Sequence, residues 1–174
     1  MALDIPSPAS VQMIAPVART STVSFNRTAD TNAYSAGDVL GSATGSTAAM
    51  EFTNIAPSWG GDIVITSTFL RIDAWAVPSG MGNMTLTLFS ITPPSASGDN
   101  AAWDLPSVDR AYILTRIPLG TPADLGWTLW VEQHGLNRQV TAASSSLFGY
   151  LSTDGGYTPL SGTTHSVTIK AVPV

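Results

Sequence analysis

Cysteine is absent from this chain of 174 residues. Disulfide frameworks, thiolate metal centres and a cysteine nucleophile are excluded together. Charge is also scarce: 11% of the residues are Asp, Glu, Lys or Arg, against about 25% in an average globular protein. The basic residues Arg19, Arg27, Arg71, Arg110, Arg116, Arg138 and Lys170 are scattered, and the net charge is −5. Nucleic-acid binding draws its affinity from clustered Lys and Arg that displace counterions, so that partner is excluded. No apolar run approaches the roughly 20 residues that cross a bilayer, so no membrane partner is expected. Residues 1–16 lack the basic region and continuous apolar core of a signal peptide.

Hydrophobic residues make up 44% of the chain. That rules out the low-hydrophobicity, high-charge signature of disorder. A single domain of this size buries roughly 70% of its unfolded surface and folds without a staple. Ser and Thr outnumber all charged residues. A surface built from hydroxyls favours short strands over solvent-exposed helices, which carry Glu and Lys.

The apolar pattern agrees. Short alternating runs occupy residues 22–27, 47–55, 62–75, 84–91, 111–117, 126–132, 136–142, 146–151 and 165–172. In the run 62–75 the apolar positions are first Ile63 and Ile65, then Leu70 and Ile72. This change of parity near Ser67 predicts a bulge or a strand buried on both faces. Val23, Phe25, Met84, Leu86, Leu88, Val167 and Ile169 are the expected core, with Thr87 on the opposite, solvated face. Gly- and Pro-rich turns separate the runs, a pattern that predicts an all-β sandwich or barrel. One or two helical turns are expected after Ser107, as a cap, with Asp109 in the first turn. Residues 1–20, interrupted by Pro6, Pro8 and Pro16, read as an extended N-terminal arm, with a frayed terminus as the alternative. The β-sandwich domain then spans residues 21–174.

No catalytic constellation stands out. The sequence has no G-x-S-x-G; the nearest stretch, residues 41–45, has Thr44 beside its second Gly. His165 opens a strand and is expected at the surface or an edge. Glu132 and His134 have the spacing of a zinc seed but no visible third ligand. Asp99, Asn100, Asp104 and Asp109 crowd the loop 93–109. Such oxygens suit calcium, and they equally make Asx-turns and a helix cap. No cofactor and no metal is assigned, and the chain is not read as an enzyme. The aromatics are more informative. Trp59, Trp103 and Tyr157 fall in predicted loops, and Trp127 and Trp130 have opposite parity on one predicted strand. These five are the candidate interface anchors.

Three stretches carry a resemblance. They are Thr31-Asn32-Ala33-Tyr34-Ser35-Ala36-Gly37-Asp38-Val39; Leu86-Thr87-Leu88-Phe89 with Pro93-Pro94 and Asp99-Asn100-Ala101-Ala102-Trp103; and Leu147-Phe148-Gly149-Tyr150-Leu151 leading to Gly156-Tyr157-Thr158-Pro159. In order and spacing they resemble a class of small structural proteins of tailed bacteriophage virions. The resemblance implies a jelly-roll-like, two-sheet antiparallel β-sandwich acting as a capsid cement or decoration protein. It would sit on the outer capsid surface after synthesis in the host bacterial cytoplasm. Its implied partners are the major capsid protein and neighbouring copies of itself in a homo-oligomer. The alternative is a tail-fibre or receptor-binding module that holds host surface glycans on exposed aromatics.

Overall fold

The computed structural model describes residues 16–42, 48–95 and 97–174. Along the chain these form β1 (Arg19–Asn26), β2 (Val39–Leu40), β3 (Met50–Phe52), β4 (Gly61–Ile72), β5 (Met84–Phe89), α1 (Ser107–Arg110), β6 (Ile113–Gly120), β7 (Ala123–Asp124), β8 (Leu129–Ala142), β9 (Leu147–Thr153) and β10 (Thr164–Pro173). One sheet has the order β1-β10-β4-β8-β7 and the other β2-β9-β5-β6, with β3 also on β9. Every pairing is antiparallel.

β2 meets β9 at Ser152 and Leu151, and β3 meets it at Gly149, Phe148 and Leu147. The two short strands are therefore successive pieces of one interrupted strand. Taken together they make the pairings nest: β1 with β10, β2 and β3 with β9, β4 with β8, β5 with β6. A long antiparallel hairpin rolled into two sheets gives this nesting, which is the jelly-roll arrangement. The expected two-sheet antiparallel sandwich is thus the one observed.

The parity change in β4 is a bulge. Lys170 pairs with Ser67 and Ala171 with Ile65, leaving Thr66 without an opposite number. On the other side, Ile65 faces Arg138 and Ser67 faces His134, so Thr66 opposes residues 135–137. Gly135 at φ 64° and Asn137 at φ 47° supply the left-handed backbone there. The expected runs 126–132 and 136–142 are consequently one long strand, β8. Ile63 and Ile65 before the bulge and Leu70 and Ile72 after it all face the core. Val167, Ile169, Met84, Leu86 and Leu88 are fully buried, and Val23 and Phe25 pack against them at the sheet edge.

Thr87 departs from expectation. It is fully buried, and its Oγ1 has no hydrogen-bond partner. The connection from β5 to β6 covers the outer face of the smaller sheet, where Val39, Ala48, Phe89 and Tyr150 form a second cluster joined by Trp103, Leu105, Tyr112 and Ile113. β5 and β9 are therefore buried on both faces. The larger sheet keeps one face in solvent. In β10, for example, Val167, Ile169 and Ala171 are buried while Lys170 is exposed. Helix α1 is a single turn, and its N-cap is Pro106 with no side-chain capping bond, not Ser107.

Residues 1–15 of the expected arm lie outside the described residues, as do residues 43–47. Its last two residues, Arg19 and Thr20, already belong to β1 and pair with Ala171 and Lys170.

Candidate interaction surfaces

The three resembling stretches meet in space. Val39 N–H donates to the Ala101 carbonyl and Asn100 N–H to that of Val39, while Gly37 N–H donates to Thr153 O and Tyr34 N–H to Tyr157 O. Gly37 stands at φ 91°, a backbone conformation that favours glycine. At the centre lies Arg27. Its Nε donates to the Tyr34 hydroxyl at 2.7 Å, and its outer nitrogens donate to the Asp30 carbonyl and carboxylate at 2.7 and 2.8 Å. Tyr34 in turn donates to Asp99 Oδ1 at 2.5 Å, which also accepts Gly41 N–H at 2.9 Å. Asp99 Oδ2 lies 3.9 Å from Arg27 Nε. Arg27, Tyr34 and Asp99 are all buried. Burial and then the Asp99 carboxylate hold the Tyr34 hydroxyl protonated far above its ordinary range. These motif residues close the loops of one end of the sandwich onto each other, which is a structural task.

The acidic loop is divided among separate tasks. Asp99 turns inward to Tyr34, and Asp109 is buried with Oδ1 on Ser95 N–H at 3.3 Å. Asn100 occupies a left-handed position at φ 59°, and Asp104 is exposed. Among the described residues no group of three or more His, Asp or Glu could hold a metal ion. His134 is exposed and lies 3.5 Å from Glu132, with which it makes a surface pair.

His165 is not at the surface. It is 2% exposed and stacks on Phe25 at 5.1 Å between centroids. The reason is register: His165 shares inward parity with Val167 and Ile169 on β10, which lies between β1 and β4. Burial pushes its pKa down to about 4. Below about pH 6.5 the unfolded chain takes up a proton that the folded chain refuses, so stability falls as pH drops from there through about 4. The loss over that window amounts to about 3 kcal/mol. Urea titrations at the two ends of the window measure it. His165→Phe should show a shallower pH slope than the parent; identical slopes would contradict this assignment.

The five candidate aromatics separate by burial. Tyr157 is only 3% exposed and belongs to the core, so it offers no exposed anchor. Its loop is held down by the Tyr34 bridge, which no local pattern announces. Trp103 is partly buried, packed at 5.8 Å on Tyr150 and 6.5 Å on Phe89, and serves the second cluster. Trp59 and Trp127 are 82% and 83% exposed. Trp75, expected at the end of a strand, lies beyond β4 and is 61% exposed.

Topology sorts the exposed ones further. Gly61 pairs with Ala142 at one end of the β4–β8 ladder, and Ile72 pairs with Leu129 at the other. Trp59 precedes Gly61; Trp75 follows Ile72 and Trp127 precedes Leu129. The Trp59 end also carries exposed Val17 and Val174, because β1 starts and β10 finishes there. Arg19 secures the start of β1 through bonds to the carbonyls of Asn54 at 3.3 Å and Ala56 at 3.0 Å. The opposite end carries Trp75, Trp127 and exposed Leu125.

Trp130 belongs to neither end. It stands on the open face of the larger sheet, in a cross-strand row Ser24, Ser166, Arg71, Trp130. The next row is Thr22, Thr168, Phe69, Glu132. Small hydroxyl residues on β1 and β10 thus adjoin large ones on β4 and β8. The step between them is a shallow groove of about 400 Å³.

No protein-family model matches the chain, and no curated protein matches it. Solved structures of similar layout include the capsid asymmetric unit of cyanophage Pam1, with 13% identity, a TM-score of 0.38, and 100% of this chain and 94% of that one covered. The capsid of Ralstonia phage GP4 gives 14% identity and a TM-score of 0.42, covering 94% of this chain and 89% of that one. The sugar-binding EclA C-terminal domain gives 13% identity and a TM-score of 0.35, covering 94% and 86%. Likeness at this level transfers no residue role to the chain.

Proposed function

We propose that this chain is a non-enzymatic virion structural protein that binds and stabilises the capsid exterior. The observation that carries the reading is the convergence of the three resembling stretches on the buried Arg27–Tyr34–Asp99 network. What resembles the phage class is thus the framework of the fold, and the exposed side chains at its two ends are left to meet partners. The Trp59 end is the surface we assign to the major capsid protein. It combines an exposed tryptophan, exposed Val17 and Val174, and the point from which residues 1–15 depart. The arm would extend that contact onto a neighbouring subunit. The opposite end, with Trp75 and Trp127, is left for neighbouring copies of the same chain in a homo-oligomer.

With 11% charged residues, contacts of this kind are apolar and hydroxyl-mediated. Attachment to capsids should therefore survive 1 M salt, where the Debye length is about 3 Å. Truncating a central tryptophan anchor costs about 2 kcal/mol or more, roughly a 30-fold loss of affinity. Trp59→Ala should show that loss in a capsid-binding assay with its melting temperature unchanged, while Trp127→Ala still binds. Release by salt alone, with Trp59→Ala bound normally, would overturn the reading.

A further inference from the structure

We infer that the open face of the larger sheet carries a carbohydrate site, which takes the ring of a neutral pyranose in the groove between β1–β10 and β4–β8. This does not depend on attachment to a capsid.

The groove has two unlike walls. Its β1–β10 side is a double row of hydroxyls. Thr22 and Thr168 are joined Oγ1 to Oγ1 at 2.7 Å, and Ser24 and Ser166 are joined Oγ to Oγ at 2.7 Å. Each pair uses one donor and one acceptor, and retains one hydroxyl donor and several lone pairs. The pairing also fixes the rotamers, so these groups are ordered before a ligand arrives. The other side is aromatic. Phe69 and Trp130 stand 5.7 Å apart at 48°. Trp130 is oriented by its indole N–H, which donates to Glu132 Oε2 at 3.2 Å. The Lys170 ammonium lies over the Phe69 ring at 4.9 Å and His134 packs on it in a T-shaped contact at 5.3 Å, so Trp130 is the ring that offers the stacking surface. Arg71 lies in the groove, oriented by Asp73 at 3.2 Å.

A pyranose ring has an apolar C–H face and a rim of hydroxyls that both donate and accept. Aromatic surface takes the first, and fixed hydroxyls with a guanidinium take the second. The charges bordering the groove balance: Arg71 and Lys170 are cations, and Asp73 and Glu132 are anions. That favours an uncharged ring over a uronate or a sulfated sugar. Coverage points the same way, because the smaller sheet hides its outer face under its own loop while this face remains open.

The test uses the full-length protein, labelled with ¹⁵N and titrated with D-glucose, D-galactose, D-mannose and N-acetyl-D-glucosamine, with D-glucuronate as the charged comparator. At least one neutral sugar should produce saturable shifts at the Trp130 indole and at the amides of Ser24, Arg71, Ser166 and Thr168, with a Kd on the order of millimolar. Trp130→Ala should weaken it at least about tenfold, and Arg71→Met gives the same reading should the tryptophan variant fold poorly. Trp127→Ala, away from the groove, should bind as the parent does. The proposal is overturned if none of the four sugars gives a saturable shift, if the shifts fall at Trp75 or Trp127 instead, or if glucuronate binds best. It is also overturned if Trp130→Ala changes only self-association.

Discussion

Asp99→Ala is expected to lower the unfolding free energy by about 3–5 kcal/mol. At roughly 2–4 °C per kcal/mol for a domain of this size, the melting temperature falls by roughly 6–20 °C. Several losses add up at this residue. The Tyr34 hydroxyl and the Gly41 amide both lose their acceptor, Oδ1. An unsatisfied buried donor costs about 1–3 kcal/mol. The buried Arg27 guanidinium also loses a carboxylate 3.9 Å from its Nε. Asp30 provides the comparison. It contacts the same guanidinium at 2.8 Å but its side chain remains 27% exposed, so solvent screens the pair. Asp30→Ala should therefore cost clearly less than Asp99→Ala. Chemical denaturation of the two variants beside the parent measures the difference. Equal losses would mean that Asp99 is not the centre of the network.

Leu86→Ala should cost about 2–5 kcal/mol, the usual range for truncating a buried leucine where neighbours cannot collapse into the void. Collapse is hindered here because Leu86 is fully buried and β9 already approaches closely. A Cβ on Gly149 would come within 3.1 Å of the Leu88 and Phe52 side chains and 3.2 Å of Leu86. The adjacent residue should behave in the opposite way. Thr87 is also fully buried, but its hydroxyl is unpaired. Thr87→Val keeps the shape and removes the unpaired group, so stability should stay level or rise by up to about 1 kcal/mol. Thermal melts of both variants check this; a Thr87→Val loss as large as that of Leu86→Ala would show that the hydroxyl has a partner.

These two residues show where local pattern is informative. Alternation marks Leu86 as a core residue because its partners lie in the facing sheet, and any half-buried strand repeats that signal. The same alternation places Thr87 in solvent, since nothing near it in sequence says that residues 90–112 fold back over the outer face. His165 and Tyr157 escape for a related reason. Their burial comes from pairings with distant segments, Phe25 opposite His165 and Tyr34 opposite Tyr157. The parity change in β4 is legible at Ile63, Ile65, Leu70 and Ile72, but the register is what decides for a bulge over a strand buried on both faces. The continuity of β8 is not legible, since Gly135 and Asn137 look like a turn and act as a bulge. β6 runs on to Gly120 through Pro118, past the expected end at Ile117, because it forms a sheet edge where a missing N–H is tolerated. Among the anchors, Trp59 is exposed as its loop position suggests; Trp127, expected on a strand, is exposed because it lies in the turn before β8, and Trp103 and Tyr157 are committed to packing. The groove around Trp130 needs the four-strand register, which one sequence does not reveal.

If the proposed role holds, the chain is part of a phage virion, and the most direct test is its copy number in purified particles, measured by quantitative mass spectrometry against the major capsid protein. A capsid-stabilising protein predicts a number of copies comparable with that of the capsid subunit, retained after a high-salt wash. Absence from the particle, or only a few copies in each, would contradict it.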